Sequence, residues 1–281
     1  MAEDKEVLKE VWEGRIPVRF ELAAADVSTM EPPDHYFLLV PRVTYISLIM
    51  DKVKRHFQKH VQATEGNQEM WFEFDGQPLK WHIPVGLLFD LLAHRSMLPW
   101  NIIVHFSRFP EEELLRCPSE EAVEAHFMAT IKEADCLKHR SAVINNMTKR
   151  DHTQLWTGLK ADRFDLFWSS NKRLMQTKVQ GQANCPDYFR AVPVRIYQAD
   201  KQYVQPFFRP VDSEDKHLTL RDMLHEAAPD SLPESGIGLK AVINGIEAPM
   251  ETKLQWLSEH LSHPDNFLHI AIINSDEGGS L

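Results

Sequence analysis

One strand–turn–helix–strand module occurs twice in this chain, and that repetition constrains the fold more than any other feature. Residues 72–106 run FEFDGQPLKWHIPVGLLFDLLAHRSMLPWNIIVHF, and residues 241–274 run AVINGIEAPMETKLQWLSEHLSHPDNFLHIAIIN. Each copy reads as a strand, a tight turn (Asp75-Gly76, Asn244-Gly245), a proline and a short amphipathic helix. A further proline, an aromatic residue and a closing strand follow. Gly76 and Pro99 are 23 positions apart and Gly245 and Pro264 are 19 apart, so the copies differ by one loop insertion. Two similar modules, neither with an evident reaction centre, point to a binding scaffold before an enzyme.

The residues upstream of each copy complete the pattern. Arg15–Leu22 and 35–40 read as extended runs, and 44–62 places Ile46, Leu48, Ile49, Val53 and Phe57 at near-helical spacing. The order hairpin, helix, strand, strand, short helix, strand is that of the β-grasp in ubiquitin-like domains. Before the second copy, 192–198 and 203–209 form a hairpin around Ala199-Asp200, and 219–228 is a helix with Leu220, Met223 and Leu224 inward.

Between the copies, Ser119 is placed to cap a helix whose first turn holds Glu120 and Glu121. This helix is expected to run to about Met147, with Val123, Phe127, Ile131, Ala134, Leu137 and Ile144 in one stripe. A second helix is expected from near Asp151, carrying Leu155, Trp156, Leu159, Phe164, Phe167, Trp168 and Leu174. These aromatic faces are wide enough to cement the two modules together. Residues 3–11 form a short helix with Val7, Leu8 and Val11 on one face. The fold class expected is therefore α+β, with two ubiquitin-like (β-grasp) domains flanking a helix-rich central region. The expected boundaries are 1–13 for an N-terminal helix, 14–107 and 188–275 for the two ubiquitin-like domains, 118–178 for the helices, and 276–281 for a disordered tail.

Composition sets limits on function. A 281-residue chain with 43% hydrophobic residues can bury the cores of two domains. A formal charge of −10 opposes nucleic-acid binding, which requires a basic surface. Cys117, Cys136 and Cys185 are too scattered for a disulfide framework. The start, MAEDKEVLKEVWEGR, lacks the apolar core of a signal peptide, and no run is apolar enough to span a membrane. These features describe a soluble cytosolic protein.

Candidate chemistry is sparse. His56 and His60 have the i,i+4 spacing of two metal ligands, but HFQKH lacks a nearby third ligand and reads as a solvated basic face. Cys136 and His139, three apart on a helix, could neighbour one another, but no orienting group for a nucleophile is evident. No GxSxG, glycine-rich phosphate loop or CxxC occurs. Gly278-Gly279 in the tail DEGGSL resembles the end of a ubiquitin-like modifier, although the chain is far larger than one. On physical grounds Lys132, one residue past Ile131, is a surface lysine at the border of the buried stripe. No catalytic residue, cofactor or metal is expected.

The stretches EAHFMATIKEADCLKHR (124–140), DKVKRHFQK (51–59), PLKWHIPVGLLFDLL (78–92), LPWNI (98–102) and LQWLSEHLSHPDNFLHI (254–270) closely resemble the autophagy protein 5 family. The resemblance runs in order over essentially the whole chain and is weaker at 23–33, 177–190, 199–204 and 228–240. It implies two ubiquitin-like folds around a helical region. It also implies that a lysine in the pattern HFMxxxKEAD, here Lys132, becomes joined covalently to the C-terminal glycine of the ubiquitin-like autophagy protein 12. The activating and conjugating enzymes of that ubiquitin-like system are further implied partners. Another is the coiled-coil autophagy protein 16, whose N-terminal helix lies in a groove made by all three regions. Arg42, in the segment matching LPRVxY, is carried over to that groove, and Glu124 to the support of the conjugation surface.

With its partners, a member of this family is expected to act as an E3-like factor. It promotes transfer of light chain 3 family modifiers to phosphatidylethanolamine, peripherally at the preautophagosomal membrane, and has no active site of its own. Asp135 is expected to help position Lys132. The diglycine tail departs from the family pattern. Two rival readings share the composition. An unconjugated, noncovalent adaptor would tolerate Lys132→Arg, and a cysteine transferase using Cys136 or Cys117 would be abolished by Cys→Ala.

Overall fold

The computed structural model describes residues 2–62, 69–93, 98–117, 119–177, 187–199, 201–229 and 239–274. The chain divides into two compact units, one of residues 14–123 and one of residues 1–13 with 124–281. Helix α1 (Ala2–Trp12) comes first in the chain and belongs to the second of these.

The unit 14–123 is a five-stranded mixed sheet with helices on one face. Its strands are β1 (Arg15–Leu22), β2 (Tyr36–Pro41), β3 (Trp71–Phe74), β4 (Gln77–Pro78) and β5 (Trp100–His105), with α2 (Met50–Phe57) and α3 (Val85–Leu92) between them. The order across the sheet is β2-β1-β5-β3-β4. Strict alternation along β1 sends Ile16, Val18, Phe20 and Leu22 inward and Arg15, Pro17, Arg19 and Glu21 outward. Val18 stands opposite Leu38 in the antiparallel pair and opposite Trp100 in the parallel pair. Val53, Phe57, Phe72 and Trp100 complete the core. This is a ubiquitin-like β-grasp.

The second sheet repeats the first. It holds β6 (Val192–Tyr197), β7 (Phe207–Phe208), β8 (Leu239–Ile243), β9 (Ile246–Glu247) and β10 (Leu268–Asn274) in the order β7-β6-β10-β8-β9. Again the first strand and the last are parallel, with Leu268 opposite Val194. Helices α7 (Leu220–Ala227) and α8 (Leu254–His260) cover its inner face through Leu220, Met223, Leu224, Leu254 and Leu257. The shared turns have one physical basis. Asp75 and Gly76 have φ of 49° and 78°, and Asn244 and Gly245 have 50° and 79°. Two successive positive φ values define the hairpin turn that Asx-Gly pairs adopt most readily.

The helices that separate the two sheets in the chain are α4 (Glu120–His139), α5 (Lys149–Lys160) and α6 (Phe164–Asn171). They are shorter than their apolar stripes suggest. The helix expected to reach Met147 stops at His139, because Arg140 and Ser141 turn to positive φ and the Asp135 carboxylate accepts the Ile144 N–H at 2.9 Å. Asp135 thus draws the chain back into a 3-10 turn at Ile144–Asn146. The single aromatic helix expected from Asp151 is two helices broken at Asp162 (φ 52°). Its start lies earlier, where Thr148 and Asp151 form a reciprocal capping box. Likewise the helix expected over 44–62 is a 3-10 turn, Ile46–Leu48, followed by α2.

Helix α1 is anchored by a residue outside its expected apolar face. Trp12 is buried against Phe164 and Phe167, with ring centroids 5.8 and 5.0 Å away, and its indole N–H donates to Asp162 at 2.9 Å. Val7, by contrast, is exposed.

Helices α5 and α6 meet at Gly158. A Cβ there would lie 2.6 to 2.7 Å from the backbone and Cβ of Phe167. Gly158→Ala is expected to destabilise the fold by about 1–3 kcal/mol through overpacking against backbone. Urea unfolding of the variant at wild-type midpoint would contradict so close a contact.

The exposed face of helix α4

Helix α4 has a buried side and a solvent side. Ser119 Oγ accepts the Ala122 N–H at 3.4 Å at its start. Phe127, Ile131 and Ala134 are fully buried. Ala125, Ala129, Lys132, Cys136 and Arg140 are exposed and recur every three or four residues, one stripe at the helical period. Lys132 lies in the middle of that stripe. Among the described residues its amine makes no hydrogen bond and no ion pair.

Its neighbours are engaged elsewhere. Glu133 accepts from Arg195 Nη2 at 3.0 Å and from Gln205 Nε2 at 2.6 Å. Asp135, expected to steer Lys132, is 1% exposed and turned to the other side, where it meets His139 Nδ1 at 2.7 Å and the Ile144 N–H. Its sequence distance of three residues says nothing about this, because the return of the chain after His139 buries it. Glu124 is half-buried, about two turns before Lys132 and rotated about 80° from it around the helix.

The last turn of α4 is fastened to the second ubiquitin-like domain. Arg190 donates to the carbonyls of Leu137 and Cys136, each at 3.2 Å, satisfying helix-end acceptors with a cation. Lys138 is buried, 3% exposed, with its amine 3.5 Å from Asn266 Oδ1, 3.3 Å from Met175 Sδ and 4.6 Å from the centre of the Phe189 ring. Asn266 in turn donates to Asn171 at the end of α6 at 2.7 Å. Burial pushes the Lys138 amine down from 10.5 to about 7, against the opposing charges of Asp135, Glu259 and Asp265. A lysine within the buried stripe was not legible from its spacing.

The other sequence candidates are kept apart. His56 Nε2 meets the Asp34 carbonyl at 2.9 Å and its ring stacks on Tyr36, while His60 Nδ1 faces Thr29 Oγ1 at 3.4 Å, so the two histidines serve separate partners. Cys136 is exposed, but His139 has both ring nitrogens taken, by Asp135 and by the Gln176 carbonyl at 2.9 Å. Burial raises the Cys117 thiol, the reverse of an activated nucleophile. Cys185 and the diglycine tail lie outside the described residues.

Arg42 is built into its own domain. Its Nη2 bonds Asp90 Oδ1 at 2.5 Å and the Gly86 carbonyl at 3.2 Å, and its guanidinium lies over Phe89. The Gly86 N–H returns to the Arg42 carbonyl at 2.8 Å, an approach that a Cβ on Gly86, 2.9 Å from that carbonyl oxygen, would obstruct.

The fold defines a class: proteins in which two ubiquitin-like domains flank, in chain order, a helical bundle, here with an exposed lysine on its first helix. Family models place the chain more closely. Those described as Autophagy protein ATG5 match here as the UblA domain over residues 11–106, the alpha-helical bundle region over 120–177 and the UblB domain over 191–272. Autophagy protein 5 of Drosophila melanogaster is 39% identical over 279 residues, covering 98% of this chain and 100% of that protein. Autophagy-related protein 5 of Caenorhabditis elegans is 30% identical, covering 96% of this chain and 98% of that one. The crystal structure of Kluyveromyces marxianus Atg5 shares the fold, with a TM-score of 0.78 at 19% identity over 96% of this chain and 99% of that one. The chain belongs to the autophagy protein 5 family.

Two outcomes follow from the packing. Arg42→Ala removes the guanidinium from a carboxylate that is 7% exposed, and is expected to cost about 3 kcal/mol in chemical denaturation. An unchanged midpoint would remove its structural role. For Lys138 the sign is set by its lowered pKa. Between about 7 and 10.5 the unfolded chain binds a proton that the folded chain does not, so its contribution to stability rises with pH across that window. Below about 7 both states are protonated and the penalty is full and constant. Lys138→Met should therefore flatten the rise in stability from pH ~7 to ~9.5 relative to wild type. Parallel pH profiles would show that Lys138 stays charged.

Proposed function

We propose that this chain is a non-catalytic scaffold of autophagy, joined through Lys132 to the C-terminal glycine of the ubiquitin-like autophagy protein 12. The observation that carries this reading is an exposed, unengaged lysine amine on a helix whose last turn is tied down, within a chain of the autophagy protein 5 family. In the reaction, the amine nitrogen attacks a thioester carbonyl, the N–C bond forms, the C–S bond breaks and the conjugating enzyme's thiol leaves. The attack requires a neutral amine, and lysines in water are mostly ammonium at neutral pH (pKa ~10.4). The activating and conjugating enzymes supply the deprotonation and alignment, and this chain supplies a presented lysine.

In this reading Glu124 supports the conjugation surface. Arg42, by fixing α3 against the end of β2, shapes the groove that receives the N-terminal helix of the coiled-coil autophagy protein 16. The assembled conjugate acts as an E3-like factor, promoting transfer of light chain 3 family modifiers to phosphatidylethanolamine; the catalytic cysteine for that transfer belongs to the conjugating enzyme of this second ubiquitin-like system. The chain works in the cytoplasm and peripherally at the preautophagosomal membrane, in keeping with helices none of which, among the described residues, is long and apolar enough to cross a membrane.

The deciding experiment is a denaturing gel with intact mass of the protein from its own cells, beside Lys132→Arg. The arginine keeps the charge and should abolish the enlarged covalent species, with circular dichroism unchanged. If neither version carries an enlarged species, the noncovalent adaptor replaces this reading. If the enlarged species persists in the variant, another residue is the acceptor.

A further inference from the structure

The outer face of the second sheet buries three side chains that the conjugation reading does not use. His263, Asp265 and His269 are 3%, 2% and 7% exposed. A tight loop brings them together: the Asn266 N–H donates to the His263 carbonyl at 2.7 Å, the His263 N–H donates to the Phe267 carbonyl at 2.9 Å, and Asn266 has φ 69°. His263 and Asp265 are thereby folded back onto His269 of β10. Asp265 Oδ2 lies 2.9 Å from His269 Nε2, and Oδ1 lies 3.4 Å from His263 Nδ1. The three donor atoms are all within 4.8 Å of one another.

These separations can be set against the geometry of a metal shell. Tetrahedral zinc with bonds of about 2.0–2.2 Å has donor–donor edges of about 3.3–3.6 Å. The His263–Asp265 separation already has that length, which is long for a hydrogen bond. His269 Nε2 lies 2.9 Å from the other carboxylate oxygen, Oδ2, so ligation through a single oxygen requires the carboxylate to turn. The Asp265 N–H donates to His263 Nδ1 at 3.4 Å, a long hydrogen bond that gives way when this nitrogen ligates a metal. The surrounding contacts also fit ligation. His269 Nδ1 meets Tyr197 Oη at 3.0 Å, and the Phe267 N–H donates to Asp265 Oδ1 at 2.9 Å. Metal-bound histidines and carboxylates are oriented by such partners. Two imidazoles and a carboxylate are a donor set that suits zinc.

We propose that His263, Asp265 and His269 form a zinc-binding site in the second ubiquitin-like domain, with a fourth position for water. The sequence reading weighed only His56 and His60 as ligands, because H-x-D-x-x-x-H converges only through the positive-φ turn at Asn266. The ion staples the 263–267 loop to β10, and through Asn266 to the Lys138 amine at the end of α4.

The test uses the full-length chain, stripped with a chelator and dialysed against Zn²⁺ alone. Bound metal is counted by mass spectrometry and the thermal midpoint is followed. One zinc per chain is expected, with an apparent Kd at or below about 1 µM and a midpoint that rises with zinc. His263→Gln and Asp265→Asn should each weaken binding at least about tenfold while keeping the circular dichroism spectrum, and His56→Ala should leave the stoichiometry unchanged. Wild-type protein that retains no stoichiometric zinc, equal binding in His263→Gln, or loss of zinc in His56→Ala overturns the proposal. Should both ligand variants fail to fold, the cobalt(II)-loaded wild type decides. A tetrahedral nitrogen–oxygen visible spectrum supports the site, and the weak spectrum of hydrated cobalt overturns it.

Discussion

The last turn of α4 is the junction on which the larger unit depends. A helix end leaves carbonyls unsatisfied, and here Arg190 satisfies two of them from the start of the second ubiquitin-like domain. One residue away, Lys138 enters the interior and reaches Asn266, which reaches Asn171. These contacts tie α4, α6 and the loop before β10 together through polar groups, whose hydrogen-bond geometry is directional in a way that apolar packing is not. The residues that fix this turn point inward, and Lys132, about 120° around the helix from Lys138, stays on the exposed face.

Two copies of one architecture have been put to different uses. The sheets share strand order, the parallel pairing of first and last strands, and turn dihedrals that agree within about a degree. Their outer faces differ. The first presents Phe37 and Leu39 to solvent. The second buries Tyr197, His269 and Ala271 and joins Arg195 to Glu133 on α4. One β-grasp core tolerates both, because the inward residues of each strand form the core and leave the alternate positions free to vary. In the second sheet those alternate positions hold Tyr197 and His269, one of the three buried residues grouped around Asp265.

The architecture was legible because it rests on local periodicity and turn chemistry: alternation along Arg15–Leu22, helical spacing at Val53 and Phe57, and Asx-Gly pairs where two positive φ values are needed. Lys132 was legible as exposed because it falls off the Phe127–Ile131–Ala134 stripe; its assignment as an acceptor came from the family pattern. The extents of the helices were not legible. The apolar stripe of α4 continues to Ile144 in sequence, yet the helix ends at His139, because a buried carboxylate captures a backbone N–H nine residues along. Similarly, Asp162 breaks the aromatic helix where its side chain accepts from Trp12, 150 residues away.

The sequence alone determined two β-grasp modules, a helical region between them and an exposed lysine in a family pattern, since each depends on residues within a turn or two of one another. The tertiary structure decided which polar side chains are buried and with whom. Asp135, Lys138, Asp265 and His269 have the composition of surface residues, but partners brought from other segments by the fold remove them from water. Burial of a polar group is determined by such long-range partners, and no local spacing in the chain encodes them.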